Sequence, residues 1–469
     1  MVTALMIAAP ASGQGKTTVA AALARLHARQ GRRVRCFKCG PDFLDPRWLQ
    51  AASGHTVDSL DLWINGEEDC ARRLASAAED ADLVVVEGVM GLFDGEPSAA
   101  DLAQRFGIPV VAVIDSGAMA GTFAAVAHGL RSWRPGLPWA GVLANRVGGD
   151  RHAEMLRDAL DPARKDDAGP WLGYLPRHAA LALPERHLGL SMPEESADAR
   201  SRLDAAADLL ATTPLGRREL ASAGQDRQAA DAWPCWAAPR QVHTPAMPRS
   251  LTGRRIAVAR DDAFAFIYPA NLDVLRALGA KLTFFSPLAG DDLPVCDAVW
   301  LPGGYPELHA ARLAERVDLR TQLAAHVGAG KPLWAECGGM MVLTDRLVDG
   351  EGRSHEMWGL LPGTTHLGRS LAALGPHALR ADGLDVAPLR GHSFHWSRIE
   401  TPVAAAAHTE PARGSAAGAG EPIYERGTLK ATWFHPWFAS SPALTARLFQ
   451  STRIFASLPE GPSHGASRA

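Results

Sequence analysis

Two short segments, far apart in this chain, carry side chains whose types and spacing could do chemistry. In the first, Ser12-Gly13-Gln14-Gly15-Lys16-Thr17-Thr18 follows an apolar run and opens a helical pattern. Glycines at Gly13 and Gly15 let backbone N–H groups approach phosphate oxygens, Lys16 reaches β- and γ-phosphates, and Thr17 can ligate Mg²⁺. The loop departs from the usual pattern at Pro10, which stands where its first glycine is expected. In the second segment, the apolar run Lys331–Glu336 leads into Cys337-Gly338-Gly339-Met340. Small residues after the cysteine permit a tight strand-to-helix turn that exposes a nucleophile. A helix N-terminus behind it favours the thiolate and lowers the thiol pKa. Together the two segments predict a nucleotide-driven reaction coupled to thiol chemistry.

Four further segments could complete these sites. Leu83-Val84-Val85-Val86 ends in Glu87, where a second Mg²⁺ contact belongs; alone, such an acid could equally cap a helix. The loop Lys38–Pro46 offers Lys38, Asp42 and Asp45 to a substrate carboxylate or a metal, and the same residues would serve as plain turn formers. Leu301–Glu307 ends a strand in exposed backbone donors, so Gly304, with Gly338, suits an oxyanion hole. His435, set among Trp433, Phe434 and Trp437, reads alone as a packed core histidine; paired with an elbow cysteine it becomes the preferred general base.

The elements that must position these residues alternate. Strands are predicted at Ala4–Ala8, Val34–Phe37, Leu83–Val86, Val110–Ile114, Ala140–Ala144 and Trp171–Tyr174, with helices such as Thr17–Gln30 and Ala118–Arg131 between them. That is an α/β pattern, a parallel sheet covered on both faces. Periodicity then disappears, and a second α/β pattern runs through Arg255–Ala259, Lys281–Phe285, Ala298–Leu301 and Pro332–Trp334. The expected organisation is 1–212 as a nucleotide domain, 213–250 as a linker, 251–456 as a second domain and 457–469 as a disordered tail. Ala404–Gly420, rich in Ala and Gly, is expected to be a mobile loop.

At 469 residues the chain is too long for one ordinary core, which agrees with two domains. With 47% hydrophobic and 21% charged residues it reads as a soluble globular protein. A net charge of -3 gives no reason to expect nucleic acid or a membrane surface as partner. Met1–Ala9 lacks the basic start of a signal peptide and reads as a buried first strand, and no stretch is apolar enough to span a bilayer. The six cysteines form no disulfide pattern, which suits a reducing cytoplasm. Cys36-Phe37-Lys38-Cys39 could bind metal or cycle redox, but no second pair completes a zinc site.

In order, several of these segments resemble the cobyrinic acid a,c-diamide synthase family of cobalamin biosynthesis. They are Ala8–Thr18, Lys38–Pro46, Glu87–Gly95, Leu183–Leu190, Pro302–Glu307, Glu336–Met340 and Arg390–His395. The resemblance implies a P-loop, dethiobiotin-synthetase-like ATP domain fused to a flavodoxin-like class I glutamine amidotransferase domain. It implies that ATP phosphorylates the c, then the a, acetate carboxylate of a corrinoid polycarboxylate, and that ammonia from L-glutamine attacks each acyl phosphate. Cys337 would form the glutamyl thioester with His435 as its base, while Lys16, Thr17, Thr18, Glu87 and Asp42 would hold ATP–Mg²⁺. Lys38 and Asp45 would lie near the reacting carboxylate, Asn145 near adenine, and Arg186 and His187 against substrate carboxylates.

Many class I amidotransferases carry a glutamate two residues after the histidine, whereas this chain has Trp437. The resemblance therefore implies a Cys–His pair, with His392 and His395 as runners-up for the base. Among substrates it orders cobyrinic acid first, metal-free hydrogenobyrinic acid close behind and nickel-sirohydrochlorin third. Related folds suggest a homodimer through the ATP domain, and an internal ammonia passage is expected. The rivals are a scaffold with decayed sites and a partitioning-type P-loop ATPase. The latter carries a signature lysine where this chain has Ala11, and it has no use for Cys337 with His435.

Overall fold

A computed structural model of the chain describes residues 2–160, 168–186, 189–190, 192–220, 232–241, 247–381, 385–412, 420–452 and 454–455. It divides into two compact units, Met1–Thr244 and Pro245–Ala469. The expected tail, 457–469, lies outside the described residues. No described helix is long and apolar enough to cross a membrane.

The N-terminal unit is built on seven strands: β1 (Thr3–Ala8), β2 (Val34–Cys39), β3 (Asp58–Leu60), β4 (Leu83–Glu87), β5 (Val110–Asp115), β6 (Trp139–Val147) and β7 (Trp171–Pro176). Their order across the sheet is β3-β2-β4-β1-β5-β6-β7, and every neighbouring pair is parallel. Side chains alternate across a strand, so Ala4, Met6 and Ala8 enter one core while Leu5 and Ile7 enter the other. The six expected strands are present, each extended by one or two residues at one end except β6, which gains one before and three after, and the three-residue edge strand β3 is additional. β3 is too short to show a period. Helix α1 (Lys16–Arg29) begins directly on the phosphate loop, whereas the helix expected from Ala118 starts at Thr122.

Alternation also decides the C-x-x-C pair. Cys36 and Cys39 are three residues apart on β2 and fall in opposite cores, so they cannot share a metal or a disulfide. Part of the expected linker packs into this unit: Trp233 and Trp236 are buried, and the Trp236 indole N–H donates to the Phe106 carbonyl at 2.8 Å.

In the C-terminal unit the main sheet runs, in spatial order, Lys281–Phe285, Arg255–Ala259, Ala298–Leu301, Leu333–Glu336, Leu429–Thr432, Pro422–Arg426 and Ala405–His408. The first five strands are parallel and the last two antiparallel. A second sheet orders Glu410–Pro411, Ala373–Leu379, Leu389–His395 and His435–Pro436. The stretch expected to be a loop from Ala404 instead supplies strands Ala405–His408 and Glu410–Pro411, because its small residues pair along the edge; 413–419 lie outside the described residues.

Candidate functional site

In the N-terminal unit, β1 ends in the phosphate loop, and its neighbour β4 ends in Glu87. β2, next in the sheet, carries Lys38, whose register partner across the ladder is Glu87. On the other side β6 delivers Asn145. The carboxyl ends of these strands open onto a cleft of about 1080 Å³ lined by Gly13, Gly15, Lys16, Thr17, Thr18, Lys38, Asp42, Asp45, Glu87 and Asn145. That is where ligands bind in open parallel sheets.

The loop is clamped from both sides. Gln14 Oε1 accepts the Asp115 N–H at 2.8 Å, and Asn145 Nδ2 donates to the Gln14 carbonyl at 2.8 Å. Gly15 has φ 95°, and a methyl group built there would overlap Asn145 Nδ2. Lys16 Nζ donates to the carbonyls of Ala11 (3.0 Å) and Met90 (2.6 Å). Burial, then the Lys38 charge, lowers Lys16 to about 8, which an incoming polyphosphate would reverse.

A buried charge cluster lies beside it. Thr17 Oγ1 donates to Glu87 Oε1 at 2.6 Å, and Lys38 Nζ donates to the same oxygen at 3.1 Å and to Asp45 Oδ2 at 2.7 Å. Burial pushes the Glu87 carboxyl up to about 8 against the pull of Lys38, and burial with Asp45 pushes Asp42 up to about 7. Burial alone would lower Lys38 and raise Asp45. Their mutual attraction wins, so Lys38 is held above its ordinary value and Asp45 below. Asp42 Oδ1 accepts the backbone N–H groups of Leu44 (2.8 Å) and Asp45 (3.0 Å), a turn-forming role that sequence reasoning left open beside the metal role.

Among the described residues, no three His, Cys, Asp or Glu side chains are grouped to hold a metal unaided. Glu87 Oε2 is nevertheless buried without a hydrogen-bond partner, beside the Thr17 hydroxyl. Of the remaining expected residues, His187 lies outside the described residues. Arg186 belongs to a two-residue strand paired with Gly189–Leu190. No sequence pattern singled out Gln14, Arg146, Arg177 or His178, the last three of which also line the cleft.

Three adjacent parallel strands of the C-terminal unit deliver the thiol site. Ala298–Leu301 runs into Gly303 and Gly304, the central Leu333–Glu336 into Cys337, and Leu429–Thr432 towards His435. Cys337 has φ 44°, a left-handed conformation that a non-glycine residue tolerates only when its surroundings enforce it. Its N–H donates to the Thr432 carbonyl at 2.7 Å, and its own carbonyl accepts from Met340 (2.9 Å) and Met341 (3.0 Å). A methyl group at Gly338 would lie 2.8 Å from Pro306 Cδ and 2.9 Å from the Gly304 nitrogen, so the two expected oxyanion donors are near neighbours. A methyl at Gly304 would overlap the Ala263 carbonyl oxygen.

The expectation of a helix-lowered thiol is not met. The helix after Cys337 is only Gly338–Met341, the thiol is 6% exposed, and burial followed by the Glu307 charge raises its pKa strongly. Burial thus works against a thiolate at Cys337 and leaves its activation to a proton acceptor. His435 is buried and lies across the ladder from His392, whose ring stacks on it with centroids 5.1 Å apart. Both runners-up are otherwise engaged. His392 Nδ1 meets the Tyr268 hydroxyl at 3.2 Å, and His395 Nε2 meets Glu421 Oε1 at 3.2 Å.

Gly303 leaves room for His435, since a methyl there would overlap His435 Cε1. Gly303→Ala is expected to displace the ring and, with His435 as the expected base and glutamine as the expected nitrogen donor, to lower glutamine-driven turnover about 100-fold, because misplacement of order 1 Å costs that much. Turnover driven by added ammonium salt should be unaffected, and comparing the two rates checks the claim.

The chain also matches known proteins. The CobQ/CobB/MinD/ParA nucleotide binding domain family matches residues 5–190, and the CobB/CobQ-like glutamine amidotransferase domain family matches residues 255–443. A hydrogenobyrinate a,c-diamide synthase of Stutzerimonas stutzeri is 53% identical over 447 residues, covering 95% of this chain and 98% of the relative. One of the same name from Pseudomonas aeruginosa is 52% identical over 455 residues, covering 96% and 98%. A cobyrinate a,c-diamide synthase of Herminiimonas arsenicoxydans is 46% identical over 447 residues, covering 95% and 96%.

Proposed function

The chain belongs to the a,c-diamide synthase family, and from that premise we propose that it amidates the a- and c-acetate carboxylates of hydrogenobyrinic acid, using ATP and glutamine. The single observation that carries this is a phosphate-loop cleft in one unit and a buried cysteine and histidine, Cys337 and His435, past the ends of neighbouring strands in the other, in a chain whose relatives match it over 95% of its length. Sequence alone ordered cobyrinic acid first. Relatives carry both names, and those at 53% and 52% identity with the hydrogenobyrinate name, against 46% for the cobyrinate name, support placing hydrogenobyrinic acid first.

The N-terminal cleft activates the acid. A substrate carboxylate oxygen attacks the γ-phosphorus of ATP, the bond to the β-phosphate oxygen breaks, and ADP leaves an acyl phosphate. Lys16 and the Gly13–Gly15 amides balance the polyphosphate charge, and Lys38, held by Asp45, orients the carboxylate. Mg²⁺ belongs to this reading. The Thr17 hydroxyl and Glu87, whose Oε2 is buried and unpartnered, would hold it, and it would neutralise phosphate charge. Ammonia then attacks the acyl carbon, and phosphate departs to leave the amide.

The C-terminal unit supplies the ammonia. His435 takes the Cys337 proton as sulfur attacks the glutamine amide carbon, then returns it to the departing nitrogen. The backbone N–H groups of Gly304 and Gly338 receive the oxyanion. Water hydrolyses the thioester to glutamate.

The test offers the purified protein ATP, Mg²⁺ and glutamine with hydrogenobyrinic or cobyrinic acid in parallel, products being identified by mass spectrometry. Diamide formed faster from hydrogenobyrinic acid is the expected result. Faster turnover of cobyrinic acid reverses the substrate choice, and no diamide from either sinks the reaction.

A further inference from the structure

Glu336, immediately before the nucleophile, is 2% exposed, as buried as any charged side chain of this unit that the mechanism leaves unused. Its Oε1 accepts two indole N–H groups, from Trp300 at 2.9 Å and from Trp334 at 2.6 Å. An indole only donates, so this oxygen can only be an acceptor. Two such bonds to one carboxyl oxygen fix the side chain's direction. Its other oxygen, Oε2, lies 3.6 Å from His435 Nδ1.

We propose that Glu336 is the positioning residue for His435, taking the part that Trp437 cannot play two residues after the histidine. A carboxylate against Nδ1 keeps the ring proton on that nitrogen and leaves Nε2 free to accept from the thiol. It also stabilises the imidazolium formed when Cys337 gives up its proton. The gap of 3.6 Å is longer than a hydrogen bond, and catalytic contacts of this kind tighten when substrate is bound. The third group thus comes from the strand that carries the nucleophile. Burial holds the Glu336 carboxyl above its ordinary value, and His435 and the two indoles oppose that rise in part. The other charged or titratable groups about the pair are His392, stacked on His435, and Glu307 and Glu421, whose charges act on Cys337.

This inference rests on the reading of Cys337 and His435 as nucleophile and base. The experiment compares Glu336→Gln, Glu336→Ala and His435→Ala, reading the ratio of glutamine-driven to ammonia-driven amidation and the KM for glutamine. Glutamine at this position keeps the carbonyl that accepts both indoles but presents an amide to Nδ1, which would select the wrong tautomer. A kcat lowered about 100-fold with KM unchanged is expected for Glu336→Gln. Because unfolding of the C-terminal unit alone would also lower the ratio, thermal melting and circular dichroism of each variant establish that this unit is folded before the ratio is read. A wild-type ratio in Glu336→Gln, with loss in Glu336→Ala and His435→Ala, would show Glu336 to be only an acceptor for the indoles and overturn the proposal. A wild-type ratio in His435→Ala would instead remove the base assignment beneath it. Were Glu336→Gln to give no folded protein, Glu336→Asp replaces it: its shortened reach lowers the ratio if the proposal holds and leaves it unchanged if not.

Discussion

Cys337→Ser is expected to lower glutamine-driven amidation by about 10⁴-fold or more while ammonia-driven amidation continues. The native thiol is already hard to ionise in its buried setting, with Glu307 and other carboxylates opposing the negative charge. A hydroxyl is harder still to deprotonate and a weaker nucleophile, so His435 could not activate it. The substitution is nearly isosteric, and the left-handed turn is held by backbone bonds to Thr432, Met340 and Met341 that serine retains. Loss should therefore be confined to nitrogen supply. Rates measured with glutamine and then with ammonium salt separate the two halves. Glutamine-driven turnover within about tenfold of the native enzyme would remove Cys337 from the mechanism.

Lys16→Ala should produce the complementary pattern. Amidation from either nitrogen source is expected to fall about 1,000-fold, because the loss removes a buried cation from the site of developing phosphate charge. Glutamine hydrolysis by the other unit should persist. Lys16 already sits in the phosphate loop with its ammonium on the Ala11 and Met90 carbonyls, interactions a bound γ-phosphate would replace. Lys16→Arg is not expected to rescue, since a planar guanidinium fork does not replace a compact ammonium in a loop this tight. ATP-dependent acyl phosphate formation, followed by hydroxylamine trapping, measures the step directly. Full trapping in Lys16→Ala would move the nucleotide away from this loop.

Some of this was legible along the chain. Phosphate loops and nucleophile elbows are made by consecutive residues, so Gly13–Thr18 and Cys337–Gly339 announce themselves without a partner. The parallel strands likewise declare themselves as apolar runs, which is why Arg255–Ala259, Lys281–Phe285 and Ala298–Leu301 were placed to the residue. Short or small-residue strands such as Asp58–Leu60 and Ala405–His408 lack that contrast with their flanks.

What required the tertiary structure were facts about proximity and burial. Only the sheet order brings Gly303, Cys337 and His435 just past the ends of three neighbouring strands, and only packing brings the Glu336 carboxyl to His435 Nδ1, 99 positions away. The clamp of Gln14 between Asp115 and Asn145, the opposed faces of Cys36 and Cys39, and the burial that resists ionisation of Cys337 have the same origin. Residue types and spacing determined which reactions this chain is equipped for. The distances, the excluded water and the resulting proton affinities were decided by folding, because each depends on atoms contributed by segments that no local pattern connects.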